Sequence, residues 1–402
     1  MQSYHHQFQH LDHLLTCSRR YWQFMPFEKS GYYWENAQPL LDWLNTLNDE
    51  DVIALKGDLP RLSQALSPFI PQAEALYRAG IDTNWPLVEV LQSQVIQRGL
   101  DSGIPGRKWT QIEAFSRALP ISDVPFLEWC AGKAHLGRVM ADIHRRPVVS
   151  LEWQVSLCQQ GEAYANKLGL PVSMQCEDAF SAAAARHIHS EQHAVALHAC
   201  GDLHTRLLQL VAQQKTRFVT ISPCCYHLIK SERYQALSLL AQASEISLSR
   251  HDLRLPLQET VTAPNRVERL REIEMSFRLG FDLLQRSLTQ LNRYIPVPNV
   301  KKAMLNQGFE AFCRWAAEQK SLSLPNDVDY AGWLQQGQQR FKGVERMELV
   351  RQLFRRPLEL WLILDRVIYL QEQGYEVSVQ RLCERAITPR NFFIQAQRQA
   401  EH

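Results

Sequence analysis

Five short strand-like runs in this 402-residue chain are each followed by polar or reactive residues. In order these are Glu128, Glu152, Asp178, His198 with Asp202, and the cluster Cys224-Cys225-Tyr226-His227. The carboxylates suit a ligand that presents hydroxyl or amino groups. His198, Asp202 and His227 are candidates for taking a proton from an amine or hydroxyl acceptor. Cys224 and Cys225 are candidates for a covalent nucleophile on a pyrimidine ring, or for thiols that shape a pocket. Tyr226 is a candidate for stacking on a planar acceptor. Five such ends in order describe a ligand site along one edge of a parallel sheet.

The elements that would position these residues follow from hydrophobic spacing. The run at 124–127 ends on Glu128 and enters a tight small-residue turn, Cys130, Ala131 and Gly132, followed by Lys133. From Leu136 the spacing is helical, with Leu136, Val139, Met140 and Ile143 on one face. Strand, glycine-containing turn and helix together open a nucleotide-binding α/β unit. The turn must be small for backbone to approach the ligand, and the helix N-terminus offers unpaired N–H groups. A second run, 148–151, ends on Glu152, followed by Trp153. That acid lies where such folds place the carboxylate that holds ribose hydroxyls. A helix at 154–168, stopped by Gly169, leads to a third strand at 172–176 and then to Glu177, Asp178, Ala179 and Phe180. A fourth strand at 194–197, a helix at 203–213 and a fifth strand at 218–221 continue the alternation.

Hydrophobic content of 45% and charged content of 21% are those of a globular protein with a substantial core, and the length suits two or three domains. The formal net charge of +2 gives no overall field toward nucleic acid, so any basic surface is local. No apolar run is long enough for a transmembrane helix, and the first residues lack a secretory signal, so no membrane contact and a cytoplasmic location are expected. Nine cysteines without a CxxC pair argue against a structural zinc site of the usual kind, and no metal is expected. His5, His6, His10 and His13 read as an exposed helix end.

Residues 1–104 read as a helical domain with apolar helical spacing around Leu11, around Leu40 to Leu44, and again at Leu87, Val88, Val90, Leu91 and Val95. The aromatic segment 20–34 reads as packing core in preference to a base-stacking surface. Residues 105–262 read as the α/β core, introduced by an amphipathic helix at 107–119. Residues 263–357 read as a helical insertion whose many arginines and lysines alternate with acids, a solvated ion-paired face first and an RNA-binding face second. Residues 358–402 read as an apolar helix and a last strand at 392–394 that returns to the sheet.

The segments FLEWCAGKAHLGR, ALHACGDL and SPCCYHL resemble the three signatures of a group of S-adenosylmethionine-dependent methyltransferases. The group includes the eukaryotic methyltransferase-like proteins, some named as rRNA adenine dimethylase domain-containing, and the methyltransferase half of the glutathione S-transferase C-terminal-domain-containing protein. LILDRVIYLQEQG and TPRN are similar to it as well, and the resemblance covers roughly 105–394. The eukaryotic tRNA acceptor-stem ribose methyltransferases carry a more distant, similar pairing of a histidine–cysteine–glycine motif with a cysteine doublet.

The resemblance implies a Rossmann-like class I methyltransferase domain, an α/β fold with a mostly parallel sheet, and S-adenosylmethionine as cofactor. It also implies residue roles. Glu128, Gly132 and Lys133 match the first motif, whereas Cys130 and Ala134 stand where the family has glycine. A cysteine fits there if φ is negative. Glu152 with Trp153 matches the ribose-binding position, and Asp178 with Ala179 or Phe180 the adenine position. His198, Cys200 and Asp202 match the fourth-strand motif, with His198 able to face cofactor or acceptor. Cys224, Cys225 and Tyr226 match the doublet. The reading that follows is a methyltransferase acting on tRNA or rRNA. Its alternatives are a methyltransferase for a small molecule or protein side chain, and a degenerate fold serving as a binding module.

Overall fold

The computed structural model describes residues 3–34, 36–81, 84–258 and 265–399, with the side chains of 265–268 excepted. The chain forms two compact units. The first gathers residues 1–16, 78–261 and 355–402; the second gathers 17–77 and 262–354.

The first unit is built on a seven-stranded sheet, β3-β2-β1-β4-β5-β7-β6. Its strands are β1 Phe126–Trp129, β2 Val148–Glu152, β3 Val172–Cys176, β4 His193–Cys200, β5 Phe218–Cys224, β6 Tyr375–Arg381 and β7 Phe392–Arg398. The first five run parallel, and β7 lies antiparallel between β5 and β6. The expected mostly parallel α/β fold is therefore present. Helices His135–His144, Val155–Leu168 and Asp202–Gln213 connect the parallel strands. Each strand that reads as a continuous apolar run is buried, as parallel strands covered on both faces must be. Because β1 and β4 are neighbours although β2 and β3 follow β1 in the chain, the strand order reverses there. That reversal opens the crevice where α/β sheets bind ligands, at the C-terminal ends of β1 and β4.

Two local expectations change. The stretch 87–95 is extended, not helical. The Val88 N–H donates to Arg381 O at 2.9 Å, and the Arg381 N–H donates to Pro86 O at 2.7 Å. The open edge of β6 thus captures backbone that helical spacing alone would have wound up, and Val90 and Val95 are left exposed. The strand β6 itself was not expected. Its buried residues alternate with exposed ones, Tyr375, Val377 and Val379 inward and Glu376 and Ser378 outward, as on an outer strand with one wet face.

The second unit is helical. The long helices Asn265–Thr289 and Tyr330–Gln352 pack together with Phe309–Gln319 around Phe277, Phe281, Phe309 and Phe312. A Cβ on Gly337 would sit 2.4 Å from Ser276 O and within 2.8 Å of Gly280, so glycine is what lets the two long helices cross closely. In the aromatic segment, Tyr21, Trp22, Phe24 and Trp34 are buried, which removes them as a stacking surface. Arg278 pairs with Glu274, and Arg286 and Arg340 share Asp282. Much of the basic character read in 263–357 is therefore internal ion pairing, while Arg269, Arg271, Arg293, Lys301 and Lys302 are exposed. The side chains of Arg266, Val267 and Glu268 lie outside the described residues.

Candidate cofactor and acceptor site

The turn after β1 is left-handed at three places: Cys130 has φ +59°, Gly132 +59° and Ala134 +52°. The condition under which a cysteine fits that position without strain, a negative φ, is thus not met. The chain bends there as a glycine-rich turn does, with non-glycine residues at two of the three positions, at a cost of about 1–2 kcal/mol each. Nothing lies within 4 Å of a Cβ built on Gly132, so this part of the turn faces open space. Gly137, in the helix that follows, is the opposite case. A Cβ there would meet Glu128 Oε2 at 2.5 Å and Ser150 Oγ at 2.7 Å. Gly137 therefore supplies the close helix-to-strand approach that the last glycine of a dinucleotide turn provides. Gly137 lies within the segment FLEWCAGKAHLGR but carries no assigned role there, because the motif's assignments stop at Ala134.

Glu128 is buried beneath the turn, not displayed on it. Its Oε2 accepts from Ser150 Oγ at 2.7 Å, and it also accepts the Gly137 N–H. Burial pushes its carboxyl up to about 7 against these hydrogen bonds. The side chain ties β1, β2 and the helix together. Glu152 does face the turn: Oε2 accepts the Gly132 N–H at 3.0 Å and Oε1 the Gln154 N–H at 3.0 Å. A carboxylate has about four acceptor positions, so after these two bonds it can still take a pair of hydroxyl donors. At the end of β3, the exposed Asp178 accepts the Phe180 N–H at 2.9 Å, and Ala179 is buried beside it. Trp153 is exposed, and Lys230 Nζ stands 3.4 Å above the Phe180 ring.

Cys130 connects the two halves of the site. Burial pushes its thiol up to about 12, and Glu152, Cys200, Asp178 and Glu128 each add a charge effect, so these groups lie within electrostatic reach of one another. Cys130 is thus within electrostatic reach of Glu152 and Asp178 on one side of the site and of Cys200 on the other.

At that second half, β4 breaks register with β5 between Leu197 and Cys200. His198 takes up the irregularity with φ +67° and is exposed. The slip sets Cys200 directly opposite Cys224, with Sγ···Sγ 3.6 Å. Cys225 follows with φ +48°. Strained non-glycine backbone at both His198 and Cys225 marks a place where side-chain direction is held against local preference. Hydrogen bonding from the Cys200 thiol, then the Cys224 thiol, holds Cys225 well below the ordinary thiol range, and burial opposes this. Cys224, which donates within the same cluster, is pushed far up.

The remaining expected residues divide. Asp202 is half-buried and serves as a brace: Oδ2 accepts the Lys230 N–H at 2.7 Å, and its own N–H donates to Leu228 O at 3.0 Å. Tyr226 turns inward, 1% exposed, with its hydroxyl donating to Glu359 Oε1 at 3.0 Å. A ring buried to this extent offers no face to an acceptor, which corrects the stacking expectation. His198 is lowered by desolvation and then by Lys108, and His227 by desolvation and then by Arg254, so both imidazoles are neutral at physiological pH.

Residues 107–232 match the family model for a methyltransferase domain. The match covers the turn, both acid positions and the cysteine doublet. The cofactor of this domain is S-adenosylmethionine. The residues present fit it: an open left-handed turn at Gly132, a carboxylate at Glu152 with spare acceptor positions, and an exposed acid at Asp178. No curated protein matches the chain.

Among solved structures, a SAM-dependent methyltransferase from Aquifex aeolicus is 10% identical over 30% of this chain and 69% of that one, with TM-score 0.25. The 23S rRNA methyltransferase ErmE is 15% identical over 52% and 98%, with TM-score 0.24. A possible exported protein from Bordetella parapertussis is 12% identical over 87% and 96%, with TM-score 0.29. Likeness at these levels carries no information about substrate. Among the described residues no helix is long and apolar enough to cross a membrane.

Proposed function

We propose that the chain transfers a methyl group from S-adenosylmethionine to RNA, with tRNA or rRNA as the acceptor class. The cofactor half of this reading is carried by Glu152 bonded to the Gly132 N–H across the turn. Gly132 and Lys133 line the turn, Glu152 holds the ribose, and Asp178 with Ala179 and the exposed Trp153 borders the adenine. Bound cofactor supplies an activated methyl on a sulfonium, whose leaving group is neutral, so the protein mainly positions the reactants.

The acceptor half is supported by the charges around the crevice. Beyond burial, which lowers all three histidines most, Lys108 lowers His198 and, after Arg138, His135, and Arg254 lowers His227. Arg390 adds to the hydrogen bonds of Cys200 and Cys224 that lower Cys225. With Lys133 and Lys230 these cations frame the C-terminal ends of the central strands, and an anionic polymer is the acceptor they favour. His198 and His227, neutral and beside the site, are placed to take a proton from an acceptor amine or hydroxyl. Cys225, whose thiol the hydrogen bonds of Cys200 and Cys224 lower, is the alternative nucleophile for a pyrimidine ring.

The test is transfer of labelled methyl from the cofactor to total RNA, protein and small-metabolite pools, repeated with Lys108→Glu and Lys230→Glu. Label in the RNA pool that falls in both variants and with rising salt is expected. Label confined to protein or metabolites overturns the RNA reading and leaves methyl transfer standing.

A further inference from the structure

Three sulfurs from two strands meet at the mouth of this crevice. Cys200, Cys224 and Cys225 are each half-buried, and their Sγ atoms all lie within 4.8 Å of one another. Among the described residues no other group of three histidine, cysteine or acidic side chains converges in this way.

We propose that Cys200, Cys224 and Cys225 form a three-thiolate site for a thiophilic d10 cation, with zinc the ion it fits. The spacing is the first reason. A tetrahedral zinc with Zn–S bonds of about 2.3 Å has S···S edges of about 3.8 Å. The Cys200–Cys224 separation of 3.6 Å is close to such an edge, and it is far from the roughly 2.05 Å of a disulfide.

The second reason is that the backbone is specially arranged to produce the cluster. The register slip between Leu197 and Cys200 brings Cys200 opposite Cys224, as bulges that re-aim a side chain do. Left-handed φ at the non-glycine Cys225 turns the third sulfur toward the pair. The two loops are then locked together. The Asp202 N–H donates to Leu228 O, the Lys230 N–H to Asp202 Oδ2, and the Gly201 N–H to Cys224 O at 3.3 Å. A Cβ on Gly201 would stand 2.0 Å from Leu228 O, so only glycine permits this closure.

Three protein ligands leave the fourth position of a tetrahedral ion for water or a substrate donor, the arrangement of catalytic and not structural zinc. On binding, three metal–sulfur bonds form, the S–H bonds of whichever cysteines are protonated break, and those protons pass to solvent. The sequence hides the site because its ligands do not follow a CxxC spacing. They come from the last residue of β4, the last residue of β5 and the residue that follows it.

The inference stands on the sulfur geometry and is independent of methyl transfer, so it is tested without cofactor. The full-length protein, reduced and stripped with a chelator, is titrated with Co2+ and then Zn2+. One cobalt per chain, with thiolate charge-transfer absorption and the visible bands of a tetrahedral ion, both abolished by zinc, is expected. Cys200→Ser, Cys224→Ser and Cys225→Ser should each lose that spectrum while keeping the wild-type circular dichroism, and Cys17→Ser should keep it. X-ray absorption of the zinc-loaded wild-type protein guards against variants that fail to fold; a first shell dominated by sulfur is expected. Absence of cobalt bands in the folded, reduced protein, bands that survive all three substitutions, or a shell of nitrogen and oxygen overturns the site.

Discussion

Glu152 Oε2 accepts the backbone N–H of Gly132 at 3.0 Å, joining the end of β2 to the turn after β1. One carboxylate thereby fixes the shape of the turn and stands ready for a ligand's hydroxyls. Because the turn and the acid hold each other, cofactor affinity and turn conformation are linked, and glycine substitutions can separate the two contributions.

Gly132 and Gly201 both have positive φ, but a Cβ meets nothing at Gly132 and meets Leu228 O at 2.0 Å at Gly201. Gly132→Ala should cost about 1 kcal/mol of stability, from backbone strain alone, while weakening cofactor binding strongly because the methyl enters the ligand's space. Gly201→Ala should cost more than about 2 kcal/mol, since backbone must move to admit it. Urea unfolding paired with cofactor calorimetry separates the two outcomes. Equal stability losses in both variants would contradict the geometry.

Cys130 is left-handed without being glycine. Cys130→Gly should raise stability by about 1 kcal/mol by relieving that strain, in part offset by the greater freedom of the unfolded chain. A loss of stability on thermal or urea unfolding would mean that the thiol's packing outweighs the backbone term.

Two buried groups give stability opposite slopes with pH. Glu128, pushed up to about 7 by burial, contributes fully below its ordinary value of 4.5, and its contribution is lost as pH rises through 7. Glu128→Gln should therefore gain on the wild type by up to roughly 3 kcal/mol between pH 5 and pH 8. His193, lowered to about 3 by burial, contributes fully above its ordinary 6.5, and its contribution is lost as pH falls toward 3. His193→Gln should flatten the acid limb. Urea midpoints across pH 4 to 8 check both signs.

The parallel half of the sheet was legible because its strands, β3 (VSMQC) apart, are short apolar runs closed by polar residues, so β1 to β5 appear nearly at their observed places. Glu152, Asp178 and the cysteine doublet were legible for the same reason, since they mark strand ends. What the spacing could not carry was direction and distance. Nothing in the sequence turns Tyr226 inward onto Glu359, or buries Glu128 under Ser150 and Gly137. The helical spacing at 87–95 was real but lost to an open strand edge, and that edge belongs to a strand nearly 300 residues later. The partnership of 17–77 with 262–354 in one helical unit is likewise a long-range contact that local periodicity does not contain.

Titration calorimetry of the purified chain with S-adenosylmethionine and S-adenosylhomocysteine, beside Glu152→Ala, tests the central claim most directly. Binding with a dissociation constant on the order of micromolar, lost in a Glu152→Ala variant that keeps the wild-type circular dichroism, is the predicted result. A folded wild-type protein that takes up neither ligand, or a Glu152→Ala variant that binds as tightly as the wild type, would contradict it.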